Sequence, residues 1–321
     1  MPEKDLVSKI ADEAIGLVVQ DTNLFKIEFF AMGSNCFIVV ADATSILLEP
    51  LRKYVDKLES LWSRFINTSE LMLANNASGN IQSVSPETIR LIQEMQFGFQ
   101  LTSGIFNPAQ LHVSLEHGFS KSKFDADQET HLSEHVSADL GVLDIVIDAL
   151  ENTIQIPLGV AIDAGGIGKG LAADMTADLA IQLGAQGVVV FIGGEVCVRG
   201  LAPGNDGWTI GVSHPLSRNE FIDVLAIHDG GVATSGPRGW INAAGESHII
   251  DSRTHEPVLS EILQVTVVAS CSAHAEILTK LCMALPISEA ISEVERIGAD
   301  ALLIDDKLKR YATASWENYT T

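Results

Sequence analysis

Cysteine is scarce in this sequence: the four residues, Cys36, Cys197, Cys271 and Cys282, are scattered, and none forms a CxxC pair. That spacing speaks against a disulfide framework or a cysteine zinc site and leaves small buried thiols in a reducing compartment. Basic charge is also short, with 20 Lys and Arg against 42 Asp and Glu and a formal charge of −22. Nucleic acid and anionic membrane surfaces are disfavoured as partners, because both are bound by clustered cations. An anionic ligand such as a dinucleotide stays open if backbone amides and helix N-termini hold it. No run approaches the ~20 continuous apolar residues of a membrane helix, so no membrane anchor is expected. The opening MPEKDLVSKIADEAIGLVVQD carries acids where a secretory leader has Lys or Arg ahead of a clean apolar core, and no lipobox cysteine is near. The expectation is an exposed amphipathic helix over residues 1–23, ahead of one unit over 24–321, in a cytoplasmic protein.

What is present is aliphatic. Hydrophobic residues make up 46% and aromatic ones only 6%, which suits a packed globular core. Leu24–Phe30 and Cys36–Val40 read as strands joined by a turn at Met32-Gly33-Ser34-Asn35. Apolar residues at helical spacing over 43–63 predict a helix, and Ser85-Pro86 predicts the start of another that reaches Leu101. Glu116–Leu140 is polar and weakly periodic, as a surface loop would be. Asp144–Ile147 and Thr153–Pro157 form a candidate hairpin. Short β runs follow at 188–192, 196–199, 208–212, 222–227, 231–235, 247–251, 263–269 and 302–304, with helices near 272–283 and 288–297. Strands and helices mix without strict alternation, which predicts an α+β fold of mixed and antiparallel sheets with packed helices.

The segment Val160-Ala161-Ile162-Asp163-Ala164-Gly165-Gly166-Ile167-Gly168-Lys169-Gly170 runs from a strand through glycines into a helix. Glycines let backbone amides approach a phosphate, the helix dipole favours negative charge there, and Lys169 adds a point charge. The order matches neither GxGxxG nor GxxxxGK[ST], so the segment alone identifies no particular nucleotide fold.

This stretch resembles the "DLGGIAKGYAVD" motif of the FAD:protein FMN transferases, the ApbE family. Other family segments follow in order over roughly residues 28–285. Ala31-Met32-Gly33-Ser34 is similar to the "MGT" turn, and Arg64-Phe65 to Asn75 to the "fS.y…Sel..lN" stretch. Thr102-Ser103-Gly104-Ile105-Phe106-Asn107-Pro108 resembles "TdGaFDPT", and Ile192-Gly193-Gly194-Glu195 resembles "iGGd". Ala233-Thr234-Ser235-Gly236 is similar to "aTSG", and His248-Ile249-Ile250-Asp251-Ser252-Arg253-Thr254 to "HIIDPRTG".

The resemblance implies a protein that binds FAD and, with Mg²⁺, transfers the FMN half to a threonine of an acceptor protein, releasing AMP. It implies His248 as general base. Lys169 and the amides around Gly165 and Gly166 would hold the phosphates, with Gly193, Gly194, Thr234, Ser235 and Gly236 nearby. Met32, Gly33 and Phe65 would enclose flavin and adenine, and Asn107 and Asp251 add expected nucleotide contacts, while Asp174 would either bond the nucleotide or cap neighbouring chain. The metal would take the Gly168 carbonyl with Glu276 and Thr279. Here the chain departs from the family, whose ADAxxT helix has Asp and Thr four residues apart; this sequence has Glu276 and Lys280, so that either Thr279 replaces the lost ligand or the Lys280 ammonium takes the metal's electrostatic role and FAD binds without metal. Asn107 stands for Asp, Ala109 for Thr, Ser252 for Pro and His255 for Gly. Two alternatives therefore stand beside the transferase: an FAD-binding protein with weak or no catalysis, and an Mg²⁺-dependent FAD pyrophosphatase.

Overall fold

The computed structural model describes residues 24–125, 127–132, 140–202 and 207–321; the helix expected over residues 1–23 lies outside them. Strands β1 (Leu24–Ala31) and β2 (Ser34–Ala41) pair antiparallel across Met32 and Gly33. Both turn residues have positive φ, 51° and 63°, as a two-residue turn that follows the strand twist requires. The turn is thus tighter than expected, and Ser34 and Asn35 belong to β2. Alternate residues of β2 face opposite ways. Cys36, Ile38 and Val40 enter one core cluster; Phe37, Val39 and Ala41 enter a second. Covered on both faces, the strand reads in sequence as a continuous apolar run.

Helix α1 (Leu48–Trp62) buries Leu51, Val55, Leu58 and Trp62 at helical spacing. Next come α2 (Glu70–Asn76), β3 (Ile81–Ser83), α3 (Pro86–Leu101) and α4 (Leu111–Glu116). The Ser85 hydroxyl accepts the Thr88 amide and Pro86 opens α3, as the sequence predicts. Strands β4 (Val146–Asp148) and β5 (Thr153–Gln155) join β3 in a small sheet of order β3-β5-β4. The remaining elements are α5 (Gly168–Gln182), β6 (Gly187–Ile192), β7 (Glu195–Gly200), β8 (Trp208–His214), β9 (Ser217–Ile227), β10 (Gly230–Ser235), β11 (Ile250–Asp251), β12 (Glu256–Pro257), β13 (Ile262–Ala269), α6 (Ser272–Ala284), α7 (Ile287–Ile297), β14 (Asp300–Asp305) and β15 (Arg310–Ala312).

The main sheet has eight antiparallel strands in the order β1-β2-β6-β7-β10-β13-β14-β15. The first core cluster packs α1, α3 and α5 on β2 and β6. The second lies on the opposite face, where Trp208, Ile210 and Leu225 of the β8–β9 hairpin meet Trp316. A third packs α6 and α7 on β10, β13 and β14. This is the expected α+β arrangement, with helices against one face and a hairpin against the other.

Helix α5 is apolar nearly all round and buried accordingly. Its Ala172, Ala173, Ala177 and Ala180 are small enough for neighbouring backbones to come close. At Gly170 a Cβ would lie 2.5 Å from the Ser272 carbonyl oxygen, so only glycine admits the start of α6 there.

One expectation holds with a refinement and one is corrected. The described part of the stretch after Glu116 is an irregular, mostly exposed loop as expected, but it is anchored: Phe119 is fully buried, and Lys121 forms a β-bridge with Glu129; residues 126 and 133–139 of that stretch lie outside those described. The strand expected over 247–251 shrinks to β11, because the His248 amide turns aside to the Trp240 carbonyl at 3.1 Å.

Candidate active site

The sheet register gathers the glycine turns at one end of the molecule. The β6–β7 turn is Gly193-Gly194, with φ of 64° and 116°, and Gly193 donates its amide to Asn35 O at 3.2 Å, beside the Met32-Gly33 turn. Ala233 of β10 pairs with Glu195, and Thr234 donates its amide to Gly194 O at 3.1 Å. Thr234, Ser235 and Gly236 therefore leave the sheet next to that turn. The glycine segment delivers α5 to the same place. Ile167 and Gly168 both donate to Ala164 O, at 3.1 and 2.7 Å, which winds the chain into the helix. The Gly165 amide is taken by Asp163 Oδ1 at 3.1 Å, and Gly166 lies over Phe106.

From the first turn of α5, Lys169 Nζ reaches Glu195 Oε1 at 2.6 Å and Glu276 Oε1 at 3.1 Å. The other Glu276 oxygen accepts the Gly170 amide at 2.8 Å. Burial alone would push Lys169 down, but the two carboxylates outweigh it and hold the ammonium above its ordinary value. Burial pushes the Glu195 carboxyl up, against the pull of Lys169.

A second cation stands beside the first. Lys280 Nζ donates to Ser235 Oγ at 2.9 Å and to Thr279 Oγ1 at 3.1 Å, and those hydroxyls are 2.8 Å apart. Thr279 also donates to the Glu276 carbonyl at 2.7 Å. Among the described residues no carboxylate comes within ion-pair distance of Lys280. Burial lowers its pKa; Glu276 opposes the shift and Lys169 adds to it.

These contacts bear on the metal that the family resemblance implies. Mg²⁺ needs near-octahedral oxygen ligands at about 2.0–2.1 Å. Both oxygens of Glu276 are engaged by Lys169 and Gly170, and the Thr279 hydroxyl holds the Lys280 ammonium. Among the described residues no group of three or more His, Cys, Asp or Glu is placed to hold a metal. A divalent ion next to two ammonium groups does not fit this donor set.

His248 lies close enough to Lys280 and Lys169 to feel both charges. Its Nδ1 lies 3.0 Å from the Trp240 carbonyl, which only accepts, so Nδ1 carries the proton and Nε2 keeps its lone pair. Phe119 and Trp240 pack around the ring. Burial, then the charge of Lys280, pushes its pKa down to about 4, so the imidazole is neutral at ordinary pH. The 117–132 segment clasps this loop: Lys123 Nζ donates to Gly239 O at 2.6 Å, and Asn242 donates to His117 O at 2.9 Å.

Not every expected residue points into the pocket. Asp174 accepts the Ser272 and Ala273 amides at 2.9 and 2.8 Å and faces Arg199 at 3.5 Å. Of the two roles open to Asp174, the hydrogen bonds match the cap: its carboxylate holds the start of α6. Asp251 is bound by Arg253, Oδ2 to Nη2 at 2.6 Å, and that guanidinium reaches Ala284 O at the far end of α6. Asn107 uses its side-chain oxygen on the Ala109 amide at 3.0 Å, which shapes its own loop. Phe65 packs near Trp240, and the Arg64 guanidinium stacks on both rings, at 4.7 and 5.6 Å. Arg64 is buried, and among the described residues its Nη1 has no hydrogen-bond partner. Neither Trp240 nor Lys123 was singled out from sequence, because their roles run through backbone carbonyls that no residue pattern marks.

The fold is that of the flavin transferases. The ApbE protein of Thermotoga maritima superposes with a TM-score of 0.81 at 22% identity, covering 93% of this chain and 100% of that one. The flavin transferase ApbE of Vibrio cholerae gives 0.76 at 21% identity, over 93% and 100%. The chain belongs to the ApbE family, whose model matches residues 32–303. Among curated relatives, the FAD:protein FMN transferase of Haemophilus influenzae is 26% identical over 94% of this chain and 93% of its own length. The enzyme of the same name from Vibrio cholerae is 24% identical over 87% and 86%.

Proposed function

We propose that this protein binds FAD and transfers its FMN moiety to a threonine of an acceptor protein, with release of AMP. The observation that carries the reading is the meeting of Lys169, Lys280 and a neutral His248 at one end of the sheet. A pyrophosphate calls for cations, and Lys280, held by hydroxyls, has no carboxylate partner among the described residues. The acceptor hydroxyl attacks the FMN phosphorus. A threonine Oγ–P bond forms, the P–O bond to the adenylate half breaks, and AMP departs with the bridging oxygen. The hydroxyl proton passes to His248 Nε2, whose lone pair the Trp240 contact leaves free. The amino groups of Lys169 and Lys280 meet the charge that develops on the phosphoryl oxygens.

The test follows AMP release and covalent flavin fluorescence from FAD with and without a threonine-bearing acceptor. AMP that depends on the acceptor supports the transferase, and His248→Ala is expected to slow it by about 10²–10⁴-fold. Acceptor-independent AMP points to a pyrophosphatase. Bound FAD that stays intact points to a binding protein, the reading that the altered metal ligands favour.

A further inference from the structure

The pocket holds more resident positive charge than one lysine would give it. Lys280 sits four residues after Glu276, so both side chains leave the same face of α6. Its ammonium rests on two hydroxyl oxygens, Ser235 Oγ and Thr279 Oγ1, instead of on a carboxylate. An ammonium has three N–H donors. Two are used by these hydroxyls, and among the described residues the third has no partner and can meet an oxygen of a bound ligand. The side chain is half-buried.

The neighbouring charges fix what that ligand must be. Lys169 is already neutralised by Glu195 and Glu276, the two carboxylates that a divalent ion would compete for. Adding a dication would set four positive charges against two negative ones. Leaving it out gives two ammonium groups and two carboxylates, and since both carboxylates sit on Lys169, Lys280 is the cation left to face a pyrophosphate dianion.

We infer that the Lys280 ammonium is the built-in counter-cation of this pocket, so that a nucleotide pyrophosphate binds here without a divalent metal. The inference rests on the reading of the pocket given above and adds the identity of its cation. Ser235 and Thr279 are positioning residues for Nζ: they fix the ammonium at hydrogen-bond distance, where a metal would need the same hydroxyls as ligands.

The experiment is a titration of FAD into the full-length protein, read by flavin fluorescence and by calorimetry, once in EDTA and once in millimolar Mg²⁺. Wild-type dissociation constants that agree within about threefold are expected. Lys280→Thr, checked for an unchanged thermal melt, is expected to bind FAD at least about tenfold more weakly in EDTA and to recover affinity when Mg²⁺ is added. Lys280→Arg, which keeps the charge, should remain metal-independent and guards against a threonine variant that folds poorly. Calorimetry with Mg²⁺ alone should give no site in the wild type and one in Lys280→Thr. Wild-type affinity that rises about tenfold or more with Mg²⁺ overturns this inference and leaves the FAD-binding reading intact. Absence of FAD binding under both conditions overturns the two together.

Discussion

His248 owes its neutral state to its surroundings. Phe119 and Trp240 exclude water from one side, and the charges of Lys280, Lys169 and Lys123 repel a proton from the other. If it is the base, the acid limb of kcat/KM for the free protein should fall near pH 4, well below the 6.5 of an ordinary imidazole. The sign for the variant follows directly. Lys280→Thr removes a cation that disfavours protonation, so the limb should move up in pH; a pH–rate profile of both proteins checks this, and an unmoved limb assigns the proton to another group. His248 itself was legible through its HIID context. The partner that fixes its tautomer was not, because a carbonyl eight residues upstream carries no side-chain signal. The departures at 280 and 255 were legible as substitutions only. His255 still adopts a left-handed backbone, with φ of 60°, where the family has glycine, so the loop geometry outlasts the residue that makes it easy.

The helices that carry the lysines are joined by side chains far apart in sequence. Asp174 on α5 caps α6 across 98 residues and also faces Arg199. Asp174→Ala should therefore cost about 0.5–2 kcal/mol for the lost cap, with a further loss from leaving the Arg199 guanidinium short of a partner. Urea unfolding would measure it, and a change within error of zero would show that another group takes over the cap. The sequence reading placed most strands and the long helices near their observed bounds, since period-two and helical spacing survive in stretches of that length. It missed α2, α4, β3, β12 and β15, which span 7, 6, 3, 2 and 3 residues. Segments so short hold too few turns or alternations for a period to emerge. Asp174 shows the same limit in another form: an acid five residues after Lys169 is visible, but not which helix end it meets.

The molecule as a whole is acidic, at −22, with Lys169 and Lys280 half-buried side by side. Its face opposite the helices is closed by the C-terminal segment. Trp316 is fully buried in the second core cluster and donates its ring N–H to Asp223 at 2.9 Å, while Ala226 donates to Tyr319 O at 2.8 Å. Trp316→Ala should lower stability by about 3–5 kcal/mol, read as a drop in the urea midpoint, although the residue lies far from any expected ligand. A loss below about 1 kcal/mol would mean that the hairpin does not depend on this plug. No sequence motif marks Trp316, because a lone aromatic near a chain end looks the same whether it is core or surface.

The close approach at Gly170 and the Asp174 cap have one consequence in common. A helix rotates by about 100° with each residue, so whatever pins its first turn also sets the azimuth of every side chain further along. Ser272 and Ala273 are pinned to α5, and two turns later that phase sets position 280 beside Lys169. The identity of the cation there can then change by swapping one side chain, lysine for a metal-binding hydroxyl, with no redesign of the backbone that presents it.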